Sequence, residues 1–249
     1  MHPAIRADIR VCVLRLALAT AVVVLPGFAA FGRTVEAGAA ASPRPTAVSA
    51  SLASAFDVAA WGERARGGAD ARLFSLALEA AAAAVNRGDA RNPRTLTVID
   101  FSKPSTEKRL WVYDLRSHTL LFHEHVAHGR GSGENLPTLF SNVPESYRSS
   151  LGLFRTAEAY VGKHGLSLRL DGLEPGINDR ARERAIVIHG ADYVNAATAR
   201  AQGRLGRSLG CPAVRPEIVA PLINAVKDGG LLFAYYPNHA WLEASTYLN

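Results

Sequence analysis

The sequence predicts a β-rich α+β domain with a few packed helices, and three features carry that prediction. Short apolar or alternating runs bounded by turn residues recur from Thr95 onward. Helical periodicity is confined to the stretch before residue 92 and to one late segment. The runs are too short and too regularly punctuated for a helical bundle. TLTVID (95–100) and RLWVYDL (109–115) alternate apolar and polar residues and read as strands, and DLRSHT turns the chain into a third, LLFHEHVAH (120–128). Residues 129–180 are rich in Gly, Ser, Pro and Asn and predict loops with short strands. RAIVIHG (184–190) predicts a buried strand, and GLLFAYY (230–236) a late one preceded by a helix around Leu222 to Lys227. Upstream, Asp70 is a candidate N-cap for a helix whose stripe is Leu73, Leu76, Ala77, Ala80 and Ala84, and Gly88 supplies the stop. Such a stripe packs on the main domain more readily than it recruits a partner. No internal repeat or heptad pattern is present.

The chain has 249 residues, 48% hydrophobic and 20% charged, enough for one well-buried domain plus a leader and a small appendage. That balance excludes a disordered chain and a membrane bundle. The net charge of +6 is spread along the chain without a dense Lys/Arg block, so a nucleic-acid partner is not expected.

The first segment reads as an address. Arg6, Arg10 and Arg15 precede the apolar run LALATAVVVLPGFAA (16–30), and small residues follow through Ala39 and Ala41. This predicts a secretory signal peptide over 1–37 with cleavage near Ala30 or Ala39. Pro26 and the short run argue against a full membrane span, so the mature form is expected to have none; an uncleaved inner-membrane anchor is the alternative. Residues 38–50 read as a flexible Ala/Pro/Ser/Thr linker, 51–92 as an N-terminal helical extension, and 93–249 as the main domain. Cys12 leaves with the signal, which strands Cys211 as the only cysteine of an exported chain. An unpaired thiol in an oxidising compartment is a hazard unless buried or used.

Two segments carry chemistry, IVIHGADYV (186–194) and GRSLGCPAVR (206–215). In the first a strand delivers His189, and Gly190 lets the chain turn away. In the second a thiol follows a glycine, where backbone N–H groups can converge. Thiol chemistry needs a base, a group that orients the base, and donors for the oxyanion formed on a carbonyl. His189 can be the base, the Gly190 carbonyl its orienter, and the N–H groups of Gly210 and Cys211 the donors. Around them, Ser208 can hydrogen-bond the thiol or a substrate, Arg207 and Arg215 can hold an acidic ligand or face solvent, and Tyr193 can line the cleft or pack.

A strand-borne HG followed by SxGC resembles the L,D-transpeptidase catalytic family (YkuD-like). More closely the chain is similar to a subgroup marked by VAHG (126–129), SSLG (149–152), HGADYV (189–194) and GRSLGCPAV (206–214), in that order, over roughly residues 93–237. The resemblance implies a mixed β-sandwich or barrel and an acyl-enzyme mechanism without a cofactor. In it Cys211 attacks a peptidoglycan stem-peptide carbonyl beside an L-configured centre, His189 is the base and Gly190 orients it. The acyl group then passes to an amine on a second stem, or to water in an L,D-carboxypeptidase. Together with the leader, which predicts export, the resemblance points to a periplasmic enzyme with donor and acceptor stems as its partners. His128, in VAHG, is a further cleft candidate. The sequence departs from the commonest family pattern at Leu209, where a second histidine is usual, and at Ala213, where Arg or Asn is usual.

Two other readings compete. His123, Glu124, His125, His128, His189, Cys211 and His239 loosely resemble a zinc hydrolase's ligand set, but the acid within that motif is replaced by Ala127, so no metal is expected. A non-catalytic wall-binding module would not need the intact His/Cys pair.

Overall fold

A computed structural model describes residues 54–249; the expected signal peptide, the linker and residues 51–53 lie outside the described residues. After a 3-10 turn at Val58–Ala60 come a short α-helix, α1 (Glu63–Arg66), and a long one, α2 (Ala71–Arg87). The Asp70 carboxylate accepts the Leu73 N–H at 2.9 Å, and Gly88 closes α2 with φ +82°. Leu73, Ala77, Ala80 and Ala84 of the expected stripe are buried, joined by Phe74, Leu78 and Ala81. The small alanines let the α2 backbone lie close against β1 (Thr95–Asp100) and β8 (Leu231–Tyr235). Phe74 meets Trp61 and Tyr113 edge-to-face at 5.2 and 5.0 Å, so this segment shares one core with the sheet.

The remaining strands are β2 (Leu110–Asp114), β3 (Thr119–Glu124), β4 (Gly152–Gly162), β5 (Gly165–Gly172), β6 (Val187–Gly190) and β7 (Ala213–Val214). They form one eight-stranded mixed sheet in the order β3-β2-β1-β8-β4-β5-β6-β7. β1–β8 and β6–β7 are parallel pairs, and the others are antiparallel. The chain leaving edge strand β3 runs on to pair with the far side of the sheet, through bridges Ala127↔Ala213 and Gly129↔Ser208. The two edges therefore nearly meet, and the fold is a β-rich α+β domain whose sheet curls toward a barrel. Helices α3 (Ala196–Gln202), α4 (Pro216–Val226) and α5 (His239–Ala244) complete it, with α4 lying against β1, β5 and β6.

β1 and β2 form where the alternating runs predict strands, and every residue of both is buried. Thr95, Thr97 and Asp100 sit inside because the sheet is covered and curled. One expectation needs correction, over residues 129–180, read as loops with short strands. They contain β4 and β5, the longest strands of the described chain, at 11 and 8 residues. The signal was masked by Ala157-Glu158-Ala159, good helix formers sitting where a bulge shifts the register between Thr156 and Ala159. At the far end, Gly162 pairs with Gly165 across a two-residue turn, Lys163-His164.

Candidate active site

β6 lies between β5 and β7, and His189 is paired with Ser167 on one side and Ala213 on the other. Its ring is buried, and Nδ1 lies 2.9 Å from the Gly190 carbonyl. A carbonyl can only accept, so Nδ1 carries the proton and the neutral ring's free lone pair is on Nε2. Burial pushes the His189 pKa below the ordinary histidine value; the bond to Gly190 opposes this, and the neighbouring His164 and Lys163 add to it. His189 is thus held as a neutral imidazole, the form a base requires.

Cys211 is half-buried two residues before β7. Its Sγ accepts the Val187 N–H at 3.5 Å and points its own proton at the Ala185 carbonyl, 3.6 Å away. Burial raises the thiol pKa, and the Val187 N–H, Arg184 and Lys163 act the other way. Among the described residues no hydrogen bond joins His189 to Cys211. Both instead line one cavity of about 320 Å³, together with Lys163, Arg184, Tyr193 and Arg207. The pair is brought to one chamber with the thiol parked on backbone groups.

The cysteine loop is shaped by two serines. The Ser208 hydroxyl donates to the Cys211 carbonyl at 2.6 Å and accepts the Gly210 N–H at 3.1 Å. The Gly210 N–H, expected to meet an oxyanion, is therefore already engaged. The Ser149 hydroxyl accepts the Gly129 N–H and donates to the Gly210 carbonyl, both at 3.0 Å. A Cβ on Gly129 would come within 2.4 Å of the Tyr147 carbonyl oxygen and 2.8 Å of Gly210 Cα, and Gly210 itself has φ +129°. Backbone thus packs on backbone, and VAHG and SSLG form the floor under the cysteine.

Arg184 is the main residue the sequence reading missed. Its Nη1 donates to the Ser141 carbonyl and the Ser150 hydroxyl, both at 2.6 Å, and its Nη2 to the Arg148 carbonyl at 2.6 Å. Among the described residues no carboxylate pairs with it. An uncompensated guanidinium in the chamber favours an anion there, whether thiolate or ligand. No local motif announces Arg184, because its partners lie 34–43 residues away. Lys163 and His164 were also passed over, although the Gly-Lys-His-Gly turn at 162–165 was a usable hairpin signal.

The other nominated residues divide. Ser208, Tyr193 and Arg207 line the chamber with the pair. Burial, and then the neighbouring Cys211, push the Tyr193 phenol up to about 12. Arg207 also holds Glu134 at 2.8 Å and the Gly133 carbonyl at 2.9 Å. Arg215 stands outside, in a two-pronged pair with Glu124 at 3.0 and 2.8 Å. His128, expected at the cleft, is fully buried away from it: Nδ1 accepts from Arg109 at 2.7 Å, and Nε2 donates to the Gly133 carbonyl at 3.3 Å. Burial, then the adjacent Arg109 cation, drop the His128 pKa to about 4. The members of the zinc-like set are dispersed, with His123 stacked on Trp111, His125 on the Thr106 carbonyl and Glu124 on Arg215. Among the described residues, no three such side chains converge as metal ligands would.

Sheet and chamber together define a mixed-sheet domain with a thiol and an imidazole facing one cationic cavity. Residues 66–235 match the family model of the L,D-transpeptidase catalytic domain, and the chain belongs to that family. No curated protein sequence matches it. Similar solved structures include an L,D-transpeptidase from Mycobacterium smegmatis, at 13% identity and TM-score 0.36, covering 57% of this chain and 59% of that one. L,D-transpeptidase 3 from Mycobacterium tuberculosis, in complex with a faropenem-derived adduct, matches at 16% identity and TM-score 0.34, covering 58% and 61%. A further L,D-transpeptidase from Mycobacterium tuberculosis H37Rv matches at 15% identity and TM-score 0.33, covering 58% of each chain. This chain thus spans 58–61% of the length of these structures. Among the described residues no helix is long and apolar enough to cross a membrane.

Proposed function

We propose that the protein is an exported cysteine L,D-transpeptidase acting on peptidoglycan stem peptides in the periplasm, with Cys211 as nucleophile and His189 as base. The observation that carries this reading is the shared chamber, in which a thiol faces a neutral imidazole whose protonated nitrogen is already committed to the Gly190 carbonyl. When a donor stem enters, Nε2 of His189 takes the thiol proton and the sulfur attacks the carbonyl carbon beside the L-centre. The oxyanion collapses, the C–N bond to the terminal residue breaks, and His189 returns its proton to the departing amine. An incoming amine from a second stem then attacks the thioester, gives a proton to His189 and releases Cys211. Water in place of that amine gives the L,D-carboxypeptidase outcome on the same residues.

The surroundings support these roles. Arg184 and Lys163 favour the thiolate, and the Val187 N–H already points at sulfur. With the Gly210 N–H engaged by Ser208, the Cys211 N–H is left as the loop's donor to the oxyanion. Lys163 and Arg207, which line the chamber, suit the carboxylates of a stem peptide, Arg207 by exchanging its exposed Glu134 partner for one of them. Purified protein incubated with defined tetrapeptide muropeptides is expected to give cross-linked or trimmed products by mass spectrometry, and Cys211→Ala none. Equal turnover by the alanine variant would overturn the assignment.

A further inference from the structure

The turn between β4 and β5 does more than reverse the chain. Gly162 and Gly165 pair and leave Lys163-His164 at the tip, with Gly165 at φ +70°. Although His164 is exposed, its ring is stacked on that of His189, with centroids 4.5 Å apart and planes 26° from parallel. The base of the hairpin explains how: Ser167 of β5 is paired with His189, so the tip folds back over the ring of its neighbour.

The stack meets a mechanical need. Among the described residues the ring of His189 has one polar restraint, the Nδ1–H bond to the Gly190 carbonyl, and that bond lets it rock about the Nδ1···O axis. Cys211 supplies no second restraint, since its hydrogen bonds go to Val187 and Ala185. A face-on aromatic partner limits this rocking without using Nε2.

The charges around His189 point the same way. Lys163 and His164 face it from the hairpin tip, Cys211 from the cysteine loop, and Arg184 and Arg207 from across the chamber. Tyr193 and Asp192 lie on the segment after β6, and Asp192 borders an adjoining hollow with His164. Burial, and then the neighbouring His164 and Lys163, oppose a second proton on the His189 ring.

Resting on the reading of His189 as base, we propose that His164 is a positioning residue: its stacked ring fixes the plane of the His189 imidazole. The role needs the aromatic face of His164, and the lowering of the His189 pKa by this neighbour gives a second readout, so two substitutions separate them.

The test measures the rate at which a carbapenem acylates Cys211 in the full chain, read as intact and peptide mass. It runs from about pH 4.5 to about 9, so that the limb of a histidine held below its ordinary value lies inside the range, with a thermal melt as fold control. His164→Ala is expected to slow acylation roughly three- to tenfold on the alkaline plateau, the scale of one aromatic pair. His164→Phe is expected to restore the plateau to within about twofold, while the acid limb moves to higher pH because a charge opposing protonation of His189 is gone. If the alanine variant melts early, the limb shift in the phenylalanine variant decides the matter. Wild-type rate and profile in His164→Ala would overturn the proposal, and so would a phenylalanine variant as slow as alanine or one with an unmoved acid limb. A wild-type protein that takes no adduct would instead remove the nucleophile reading, and this proposal with it.

Discussion

Replacing His189 by alanine removes the imidazole in the thiol's chamber whose Nδ1–H is bonded to the Gly190 carbonyl and whose Nε2 is left as a free lone pair. The magnitude follows from the thiol's surroundings. An ordinary cysteine near pKa 8.5 is only a few per cent thiolate at neutral pH. Burial pushes Cys211 above its usual value, with Val187, Arg184 and Lys163 opposing. The unaided thiolate fraction is therefore small, and loss of the base should cost roughly a hundredfold or more in acylation at neutral pH. The shape of the profile is as diagnostic as its height. With His189 present, the rate should be sustained down toward neutral pH, because burial keeps the base unprotonated there. Without it, the rate should climb about tenfold per pH unit until the thiol itself titrates. The assay is the carbapenem adduct rate on Cys211 by intact mass, with a melting curve to establish that the variant is folded. A folded His189→Ala protein with wild-type rate and a flat profile across pH 6–9, the range bracketing both reference values, would refute the reasoning.

Three other outcomes are expected. Arg184→Gln removes the cation that favours the thiolate, so the alkylation pKa of Cys211 should rise and acylation at neutral pH fall about three- to tenfold, with recovery at high pH; an unchanged alkylation profile would remove Arg184 from the chemistry. Ser149→Ala leaves the Gly129 N–H and the Gly210 carbonyl without their shared hydroxyl, and should cost about 1–3 kcal/mol in chemical denaturation while slowing Cys211 acylation; unchanged stability would contradict that linkage. His128 binds its proton more weakly when folded than when unfolded, so its contribution to stability is lost as pH falls from about 6.5 toward about 4. Between pH 7 and pH 5 this amounts to roughly 2 kcal/mol from His128, and His128→Gln should lose correspondingly less over that interval; equal losses in both proteins would count against it.

The legible parts of this chain were those fixed by near neighbours. Asp70 and Gly88 bracket α2 through contacts within a turn of the helix, and β1 and β6 are short apolar runs with clear ends. The co-location of His189 and Cys211 was readable because each is set by a local motif and β6 pairs directly with the strand that follows the cysteine loop. What escaped depends on distance along the chain. Arg184 acquires its place from carbonyls and a hydroxyl between Ser141 and Ser150, and His164 reaches His189 only because β4 and β5 form a hairpin whose strand signal the bulge disguises. Arg215 shows that closeness in sequence to Cys211 does not decide between holding a ligand and facing solvent: β7 carries the chain on and the guanidinium pairs with Glu124. His128 belongs to a motif that serves the site through its backbone, its carbonyl oxygen accepting the Ser208 N–H while its ring is buried against Arg109.

The central claim is that a stem-peptide acyl group passes through Cys211. The most direct measurement quenches a reaction with a tetrapeptide donor in acid, digests the protein, and weighs the peptide containing residue 211. The account predicts a thioester on that peptide with the mass of the donor less its terminal residue, depleted when an acceptor amine is added and absent in Cys211→Ala. Turnover with no adduct on Cys211 at any time, or the same adduct on another residue, would contradict it.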